Sequence, residues 1–337
     1  MRIIIVTDAA PPQVNGVVIT LGSLARQLEL LGHDVRFITP ASFRTWPCPT
    51  YPEIRLSIFP GGGVRRAIEA CDPDAVHIAT EGPLGIAARR YCVRHEIPFT
   101  TAYHTRFPEY VRARAPIPKA LTYAWLRRFH GRAQRVMVPT PSISGELQAR
   151  GFGNCVIWPR GVDLSIFSPE GARYETAGGG KKPVFMYIGR VAVEKNIRAF
   201  LSLDLPGEMW VVGGGPDLER LRREYPKVHF AGPQPHAELP RFYRSADVFV
   251  FPSRTDTFGL VLLEALACGV PVAAFPVAGP LDIIGTSGAG ALDGDLRAAA
   301  LKALEVPRES AYAHAKRYAW DQVARVFLGH LAPIARV

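Results

Sequence analysis

The sequence lacks an apolar run long enough to cross a bilayer. The closest candidate, residues 258–275, is interrupted by Glu264 and Pro271, whereas a spanning helix needs about 20 predominantly apolar residues. The amino terminus, MRIIIVTDAA, also lacks the basic start and small-residue cleavage site of a signal peptide, and its pattern is that of a buried strand. These absences predict a protein of the cytoplasm.

Two further absences narrow the possible functions. The five cysteines are widely spaced and form no C-x-x-C pair, which argues against a disulfide framework and against a zinc site. The sequence also contains no G-x-G-x-x-G fingerprint, and this disfavours a dinucleotide-dependent dehydrogenase.

Acidic residues are scarce in the first half of the chain. Residues 1–160 contain 20 Lys and Arg against 11 Asp and Glu, whereas residues 161–337 contain 20 against 19. The segment 109–135 carries seven basic side chains against one acidic one, with aromatic residues between them. Basic residues with interfacial aromatics suit an anionic membrane surface. The candidate membrane-docking residues are Trp125, Arg127, Arg128 and Arg132.

Two other interpretations apply to this basic segment. Nucleic acid attracts positive charge in the same way, but no recognised nucleic-acid motif accompanies the segment, so we predict no nucleic-acid partner. An ordinary solvated helix face is the second alternative.

Short apolar runs rich in β-forming residues alternate with helical patterns, which is typical of parallel α/β architecture. The predicted strands are 2–7, 34–39, 54–59, 75–79, 99–103, 135–139, 155–158, 184–188, 209–212, 228–230, 248–251 and 272–275. A loose segment, residues 168–182, separates two such series and has the composition of a linker. The sequence therefore predicts two doubly wound domains, in which ligands bind beyond the carboxyl ends of the strands.

Loops that follow two of these strands suit the binding of phosphate. The first loop passes through Asn15 and Gly16 into a helix, so that its backbone can approach an anion closely; a plain strand-to-helix turn is the alternative. The second loop contains Arg190 and Lys195, two cations that could hold a departing diphosphate; two solvated cations are the alternative.

A third loop carries Asp256 and leads into a helix near Phe258 and Gly259. The N–H groups of that first helical turn also suit a phosphate. Glu264 lies farther along the same, otherwise apolar helix, where a carboxylate needs hydrogen-bond donors such as the hydroxyls of a ligand. The alternatives for Glu264 are a position at the helix surface or a pair with an arginine.

Five motifs follow one another along the chain: PPQVNGVVITL, TAYHTRFPEY, YIGRVAVEKNI, VVGGGPDLERL and PSRTDTFGLVLLEALACG. In these motifs the sequence resembles, over nearly its whole length, the retaining glycosyltransferases of family 4. Within that family it is similar to the branch of mannosyltransferases and glycolipid transferases such as sulfoquinovosyl-diacylglycerol synthase. The resemblance implies a GT-B fold, in which two Rossmann-like doubly wound domains face a central cleft. The implied domains are 1–165, with a crossover helix at 318–337 packing on it, and a nucleotide-sugar-binding domain at 166–317.

The resemblance also assigns roles to residues. It places His104 at the reacting sugar and Arg190 and Lys195 on the diphosphate. It gives Asp256 a contact with the hydroxyls of the donor sugar, and it makes these four the catalytic group. The implied donor-binding residues are Asn15, Gly16, Phe258, Gly259, Leu260 and Glu264, of which Glu264 binds the ribose. The family's E-x7-E motif usually begins with Glu, and the shorter Asp256 at that position leaves the donor sugar open.

No metal cofactor is expected, and the nucleotide-sugar is a substrate. The sequences Asp72-Pro-Asp74 and Asp293-Gly-Asp295 match the D-x-D pattern with which other transferases hold a metal–diphosphate. Both lie away from the phosphate candidates, and the two cations of the second loop supply the charge that a metal would supply.

The resemblance thus implies a hexosyltransferase that takes a sugar from a UDP- or GDP-sugar and forms an α-glycosidic bond, and together with the basic segment it predicts a membrane lipid such as diacylglycerol as the acceptor. We expect it to associate peripherally with the inner face of the cytoplasmic membrane. Two alternatives stay open: transfer to a soluble sugar or polysaccharide precursor, and a nucleotide-sugar-binding protein without transferase activity.

Overall fold

The structure, a computed structural model, describes residues 1–13, 15–48, 51–104, 117–175, 179–256 and 258–335. The chain forms two compact units. Unit 1 comprises Met1–Arg160 and Trp320–Val337, and unit 2 comprises Gly161–Ala319. The sequence had placed the two boundaries after residues 165 and 317.

The elements of the two units follow in chain order. The strands are β1 (Arg2–Val6), β2 (Asp34–Ile38), β3 (Thr45–Cys48), β4 (Tyr51–Ser57), β5 (Ala75–Ile78), β6 (Phe99–Ala102), β7 (Arg135–Val138), β8 (Cys155–Ile157), β9 (Val184–Ile188), β10 (Glu208–Val212), β11 (His229–Gly232), β12 (Val248–Phe251), β13 (Val272–Ala274) and β14 (Gly290–Leu292). The helices are α1 (Gly16–Leu30), α2 (Gly61–Cys71), α3 (Pro83–Arg94), α4 (Lys119–His130), α5 (Pro141–Gln148), α6 (Ile197–Leu201), α7 (Leu218–Glu224), α8 (Leu239–Ser245), α9 (Leu260–Ala267), α10 (Ala278–Ile283), α11 (Leu296–Ala303), α12 (Arg308–Ala315) and α13 (Trp320–His330).

Every strand predicted from the sequence is present, but β3 and β14 were not predicted. β3 reads Thr-Trp-Pro-Cys and lacks an alternating pattern, and β14 has only three residues after a glycine-rich turn. β3 and β4 pair with each other as a separate antiparallel hairpin, so the predicted strand at 54–59 does not join the main sheet.

The main sheet of unit 1 is parallel and has the order β2-β1-β5-β6-β7-β8. Ile3 and Ile5 of β1 face a layer formed by α1 and α13, whereas Ile4 and Val6 face α2 and α3. All four side chains are buried, because a parallel sheet is covered by helices on both faces. α4 and α5 pack on the same side of the sheet as α2 and α3, through Val136 of β7.

The sheet of unit 2 is also parallel and has the order β11-β10-β9-β12-β13-β14. The chain leaves β9 toward one edge through β10 and β11 and then returns to the other side of β9 with β12. The loops after β9 and β12 therefore diverge at a topological switch point, which is where ligands bind in doubly wound sheets. In unit 1 the corresponding switch point lies between β1 and β5. No helix in the described part of the chain is long and apolar enough to span a membrane.

Candidate active site

The switch point of unit 2 brings Lys195 and Asp256 together. Lys195 follows β9 and Asp256 follows β12, and the Lys195 ammonium forms an ion pair with Oδ1 of Asp256. A hydrogen bond also links the two loops, because the side-chain amide of Asn196 donates to the Pro252 carbonyl at 3.0 Å. Two residues that the sequence assigned separately to diphosphate and sugar therefore form one charged pair.

One oxygen of the Asp256 carboxylate has no hydrogen-bond partner among the described residues. Its side chain is only 20% exposed, and its Oδ2 is buried without a hydrogen-bond partner in the described part of the chain. A buried polar atom without a partner has an unmet capacity for a hydrogen bond. The Oδ2 atom of Asp256 is thus placed to accept a hydrogen bond from a hydroxyl of a ligand.

Arg190 lies at the same switch point but is not bonded to this pair. Its side chain is exposed, and its backbone carbonyl accepts a hydrogen bond from the Tyr187 hydroxyl at 2.7 Å. Within the described residues the guanidinium donates no hydrogen bond that would prevent it from binding an anion. The backbone of the loop after β9 packs directly against the backbone after β10. A Cβ on Gly213, which follows β10, would lie 1.9 Å from the Gly189 carbonyl oxygen.

The helix α9 begins beside Asp256. Gly259 precedes it with φ +88°, a left-handed conformation that favours glycine, and Phe258 is buried. Within the described residues no side chain caps the helix at this end, and the Leu262 N–H already donates to the Gly259 carbonyl at 2.9 Å. The N–H groups of Leu260 and Val261 therefore remain for an anion. The structure therefore places Phe258, Gly259 and Leu260 next to the charged pair.

Glu264 is buried in α9, and its partners are protein side chains other than arginine. The Tyr243 hydroxyl donates to Oε2 of Glu264 at 2.9 Å, and Nε2 of His236 lies 3.7 Å from Oε1. The Glu264 carboxylate raises the pKa of His236. Tyr243 and His236 were not identified from the sequence, because they lie far from Glu264 along the chain and no local motif marks them.

At the switch point of unit 1, Asn15 caps α1. Its Oδ1 accepts hydrogen bonds from the N–H groups of Val17 and Val18 at 3.0 and 3.1 Å, as an N-cap residue does. The protein itself therefore satisfies two of the N–H groups that the sequence had left open for an anion. Gly16, the first residue of the helix, remains for backbone contact.

Asp8 organises the same switch point and was not identified from the sequence. It is buried, and its carboxylate accepts hydrogen bonds from the Leu84 N–H at 3.0 Å and the Thr80 hydroxyl at 2.9 Å. Burial raises the pKa of Asp8. Gly82 is required beside it, since a Cβ there would lie 2.4 Å from Cγ of Asp8. A charged residue directly after a buried strand was the available signal.

His104 follows β6 in unit 1 and lies half-buried against Arg160. Nη2 of Arg160 lies 3.3 Å from Nδ1 of His104, and the edge of the imidazole meets the Trp158 ring, with centroids 5.9 Å apart. Burial and the Arg160 charge place the pKa of His104 well below its usual value. Arg160 was not identified from the sequence, where it is one of many arginines.

Comparison with known proteins identifies the family. Residues 14–166 match the model of Glycosyltransferase Family 4, and residues 182–306 match that of Glycosyl transferases group 1. A GDP-mannose-dependent alpha-mannosyltransferase of Mycobacterium tuberculosis is 31% identical over 308 residues, which cover 84% of this chain and 81% of that one. The chain belongs to glycosyltransferase family 4.

Other relatives agree with this family-4 assignment. Sulfoquinovosyl transferase SQD2 of Arabidopsis thaliana is 31% identical, in a match that covers 84% of this chain and 61% of that protein. Alpha-monoglucosyldiacylglycerol synthase of Acholeplasma laidlawii is 28% identical, and the match covers 81% of this chain and 79% of that protein. The chain is therefore an enzyme that transfers a glycosyl group, as the sequence predicted.

Solved structures show the fold of this family-4 enzyme. Sucrose-phosphate synthase from Thermosynechococcus elongatus superposes with a TM-score of 0.74 at 20% identity, over 97% of each chain. HepE of Anabaena, in complex with UDP and glucose, superposes with a TM-score of 0.70 at 15% identity, over 97% of this chain and 98% of that one. The predicted GT-B fold of two Rossmann-like, parallel-sheet units is confirmed.

The aspartates of the two D-x-D sequences bind other groups of the protein. Asp72 forms an ion pair with Arg2 at 2.7 Å, and Asp74 accepts a hydrogen bond from the Arg2 N–H at 2.6 Å. Asp293 pairs with Lys302 at 2.8 Å, and Asp295 caps α11. Each of these carboxylates stabilises a local element of the fold.

The described part of the basic segment is α4 with the residues that flank it. Residues 105–116 lie outside the described residues, and with them Arg112 and Arg114. Arg128 and Arg132 are exposed, and Trp125 is 38% exposed and stacks on Phe129. Arg127 differs, because it donates a hydrogen bond to the Arg150 carbonyl at 2.8 Å and so contributes to the fold.

Proposed function

We propose that this family-4 glycosyltransferase moves a hexose from a UDP- or GDP-sugar to a lipid acceptor such as diacylglycerol, with retention of the α configuration. The observation that carries the proposal is the Lys195–Asp256 pair at the switch point of unit 2, beside the exposed Arg190. The pair supplies a cation for a diphosphate and a carboxylate oxygen for a sugar hydroxyl, which are the two groups that meet at the reacting end of a nucleotide-sugar.

The proposed reaction uses charge stabilisation. The bond between the anomeric carbon and the diphosphate oxygen breaks, and the nucleoside diphosphate leaves with the electron pair. Lys195 and Arg190 stabilise the charge that develops on the diphosphate. The acceptor oxygen bonds to the anomeric carbon on the face that the diphosphate leaves, and its proton passes to the departing phosphate. Glu264, oriented by Tyr243, binds the ribose hydroxyls of the donor.

The helix layers of unit 1 differ in charge, which supports a membrane acceptor. Helices α2 to α5 on one side of the sheet carry eight Lys and Arg against two Asp and Glu, whereas α1 and α13 on the other side carry two against two. Within this layer Arg89 links α3 to α4, because its guanidinium donates hydrogen bonds to the carbonyls of Arg128 and Phe129, each at 2.7 Å. An anionic lipid surface attracts such a layer.

Apolar side chains accompany the charge on α4. Leu121 is 63% exposed and Trp125 is 38% exposed, and their four-residue spacing places them on the same face of the helix. Arg128 continues that face. Basic and exposed apolar groups on one helix are typical of segments that lie in the membrane interface. The name of the Acholeplasma relative, a monoglucosyldiacylglycerol synthase, supports diacylglycerol as the first acceptor to test.

The test is transfer by the purified enzyme to diacylglycerol in anionic vesicles, with GDP-mannose and UDP-hexoses supplied separately. We expect one donor to yield a glycosyl-diacylglycerol whose anomeric NMR signals show an α linkage. A β linkage would contradict the retaining mechanism. Transfer to soluble sugars alone would contradict the lipid acceptor, and donor binding without transfer or hydrolysis would contradict the catalytic assignment of His104, Arg190, Lys195 and Asp256.

Turnover is expected to be independent of divalent metal ions. Arg190 and Lys195 supply the positive charge at the diphosphate, a role that a metal ion takes in other transferases. The initial rate in EDTA should therefore equal the rate in added Mg²⁺ or Mn²⁺, measured with the donor identified above. A rate that vanishes in EDTA and returns with a divalent ion would assign the diphosphate charge to a metal.

A further inference from the structure

Arg160 is buried without a carboxylate partner in the described part of the chain. It is 4% exposed, and its Nη1 donates to the Trp158 carbonyl at 2.8 Å. Its guanidinium lies over the Trp158 ring, 4.5 Å from the centroid. Burial lowers the pKa of Arg160 to about 9, so the group is still charged at neutral pH. Nη2 of Arg160 lies 3.3 Å from Nδ1 of His104.

This contact determines where His104 carries its proton. A guanidinium has only N–H donors and no acceptor, so Nδ1 of His104 must present its lone pair. The ring proton of the neutral imidazole then lies on Nε2. Protonation of Nδ1 would bring two donors and two positive charges together at 3.3 Å, and the nearby buried His77 also disfavours a charge on His104.

The other ring nitrogen of His104 has no partner among the residues that the structure describes. Nε2 is buried, and no hydrogen-bond partner for it occurs in the described part of the chain. A buried N–H without an acceptor is destabilising, so its presence requires a reason. A hydroxyl or carbonyl oxygen of a substrate would satisfy it.

We propose that Arg160 is a positioning residue that holds His104 neutral, with its proton on Nε2, so that His104 acts as a hydrogen-bond donor to an oxygen of the bound sugar. In this role His104 neither accepts nor releases a proton during the reaction. The part of the inference that concerns the sugar rests on the proposed function. The part that concerns the protonation state of His104 stands independently of it.

The protonation state is tested by NMR of enzyme labelled with ¹⁵N-histidine, with the His104 signals assigned from their loss in a His104→Gln variant. We expect wild-type His104 to show one neutral form, protonated at Nε2, that does not titrate across the range of about pH 5.5 to 8 in which an ordinary histidine does. A His104 protonated at Nδ1, or one that titrates near neutral pH, would overturn the inference whether or not the enzyme acts on lipid.

Two variants of Arg160 test the coupling. Arg160→Lys retains a donor toward Nδ1 and should keep the Nε2-protonated form and most of kcat/KM. Arg160→Met removes that donor, so both neutral forms should appear in the NMR spectrum, and kcat/KM for the donor should fall about tenfold, the effect of one lost hydrogen bond. Thermal melting of each variant establishes that it is folded.

A double-mutant cycle separates positioning from a general structural role. If Arg160 acts through His104, Arg160→Met should have no further effect on kcat/KM in a His104→Ala background, because coupled residues are not additive. Equal losses from Arg160→Met in both backgrounds would refute the coupling. If no nucleotide-sugar is turned over but the NMR result holds, the proposed function fails and the assignment of the His104 proton does not.

Discussion

We expect the Lys195→Met variant to lose about 30- to 1,000-fold in kcat/KM for the donor, which corresponds to roughly 2–4 kcal/mol of transition-state stabilisation. The loss is large because the cation acts on charge that develops when the anomeric bond breaks, so its contribution is greater in the transition state than in the ground state. The same substitution leaves the carboxylate of Asp256, only 20% exposed, without its cationic partner.

A second lysine–aspartate pair in unit 2 provides the control. Lys302 pairs with Asp293 at 2.8 Å, and the pair is exposed, so the Lys302→Met variant should have near-normal kinetics. Asp256→Asn and the double variant complete a cycle, in which we expect Lys195 and Asp256 to be strongly non-additive. Equal kinetics for the Lys195→Met and Lys302→Met variants would remove Lys195 from the diphosphate.

Replacing Arg128 and Arg132 together with Gln should release the enzyme from anionic vesicles. Each basic residue near such a surface contributes on the order of 1 kcal/mol, so the pair should account for about a 30-fold loss of affinity. Vesicle sedimentation measures this affinity at several phosphatidylglycerol contents and salt concentrations. Arg127 is left in place because its hydrogen bond to the Arg150 carbonyl supports the fold.

The matched control removes two charges from the opposite helix layer of unit 1. Arg26 and Arg325 are both exposed, on α1 and α13, and the Arg26→Gln, Arg325→Gln variant should bind vesicles as the wild type does. Both double variants should still bind the donor nucleotide, because Lys195, Asp256 and Glu264 belong to unit 2. Equal vesicle binding by both would show that the α4 surface is an ordinary solvated face and would leave the lipid acceptor without its support from charge.

Affinity should also depend on ionic strength in the wild type. Exposed charges are screened beyond about 8 Å at physiological salt, so vesicle binding driven by the charges of α4 should weaken as salt increases. The exposed apolar side chains of Leu121 and Trp125 should maintain a fraction of the binding that does not depend on salt.

Local sequence patterns were sufficient to predict the two-domain α/β architecture and the loops in which we place the candidate active site. Buried parallel strands are continuous apolar runs, and β1 and β9 are such runs, so both series of strands were predictable. Arg190, Lys195 and Asp256 were recognisable because each follows a buried strand, and the carboxyl ends of such strands are where doubly wound sheets bind ligands. β14 was not predicted because three residues after a glycine-rich turn carry no periodicity.

The sequence by itself determined the fold class, the family and which loops follow the buried strands at the switch point of unit 2, since each of these follows from short-range patterns and ordered motifs. Only the tertiary structure decided the partners: Asp256 for Lys195, Tyr243 for Glu264, and Arg160 for His104. These pairs are separated by 61, 21 and 56 residues. A hydrogen bond depends on atoms within about 3 Å of each other, and which distant side chains approach so closely is set by strand order and helix packing, which no local pattern contains.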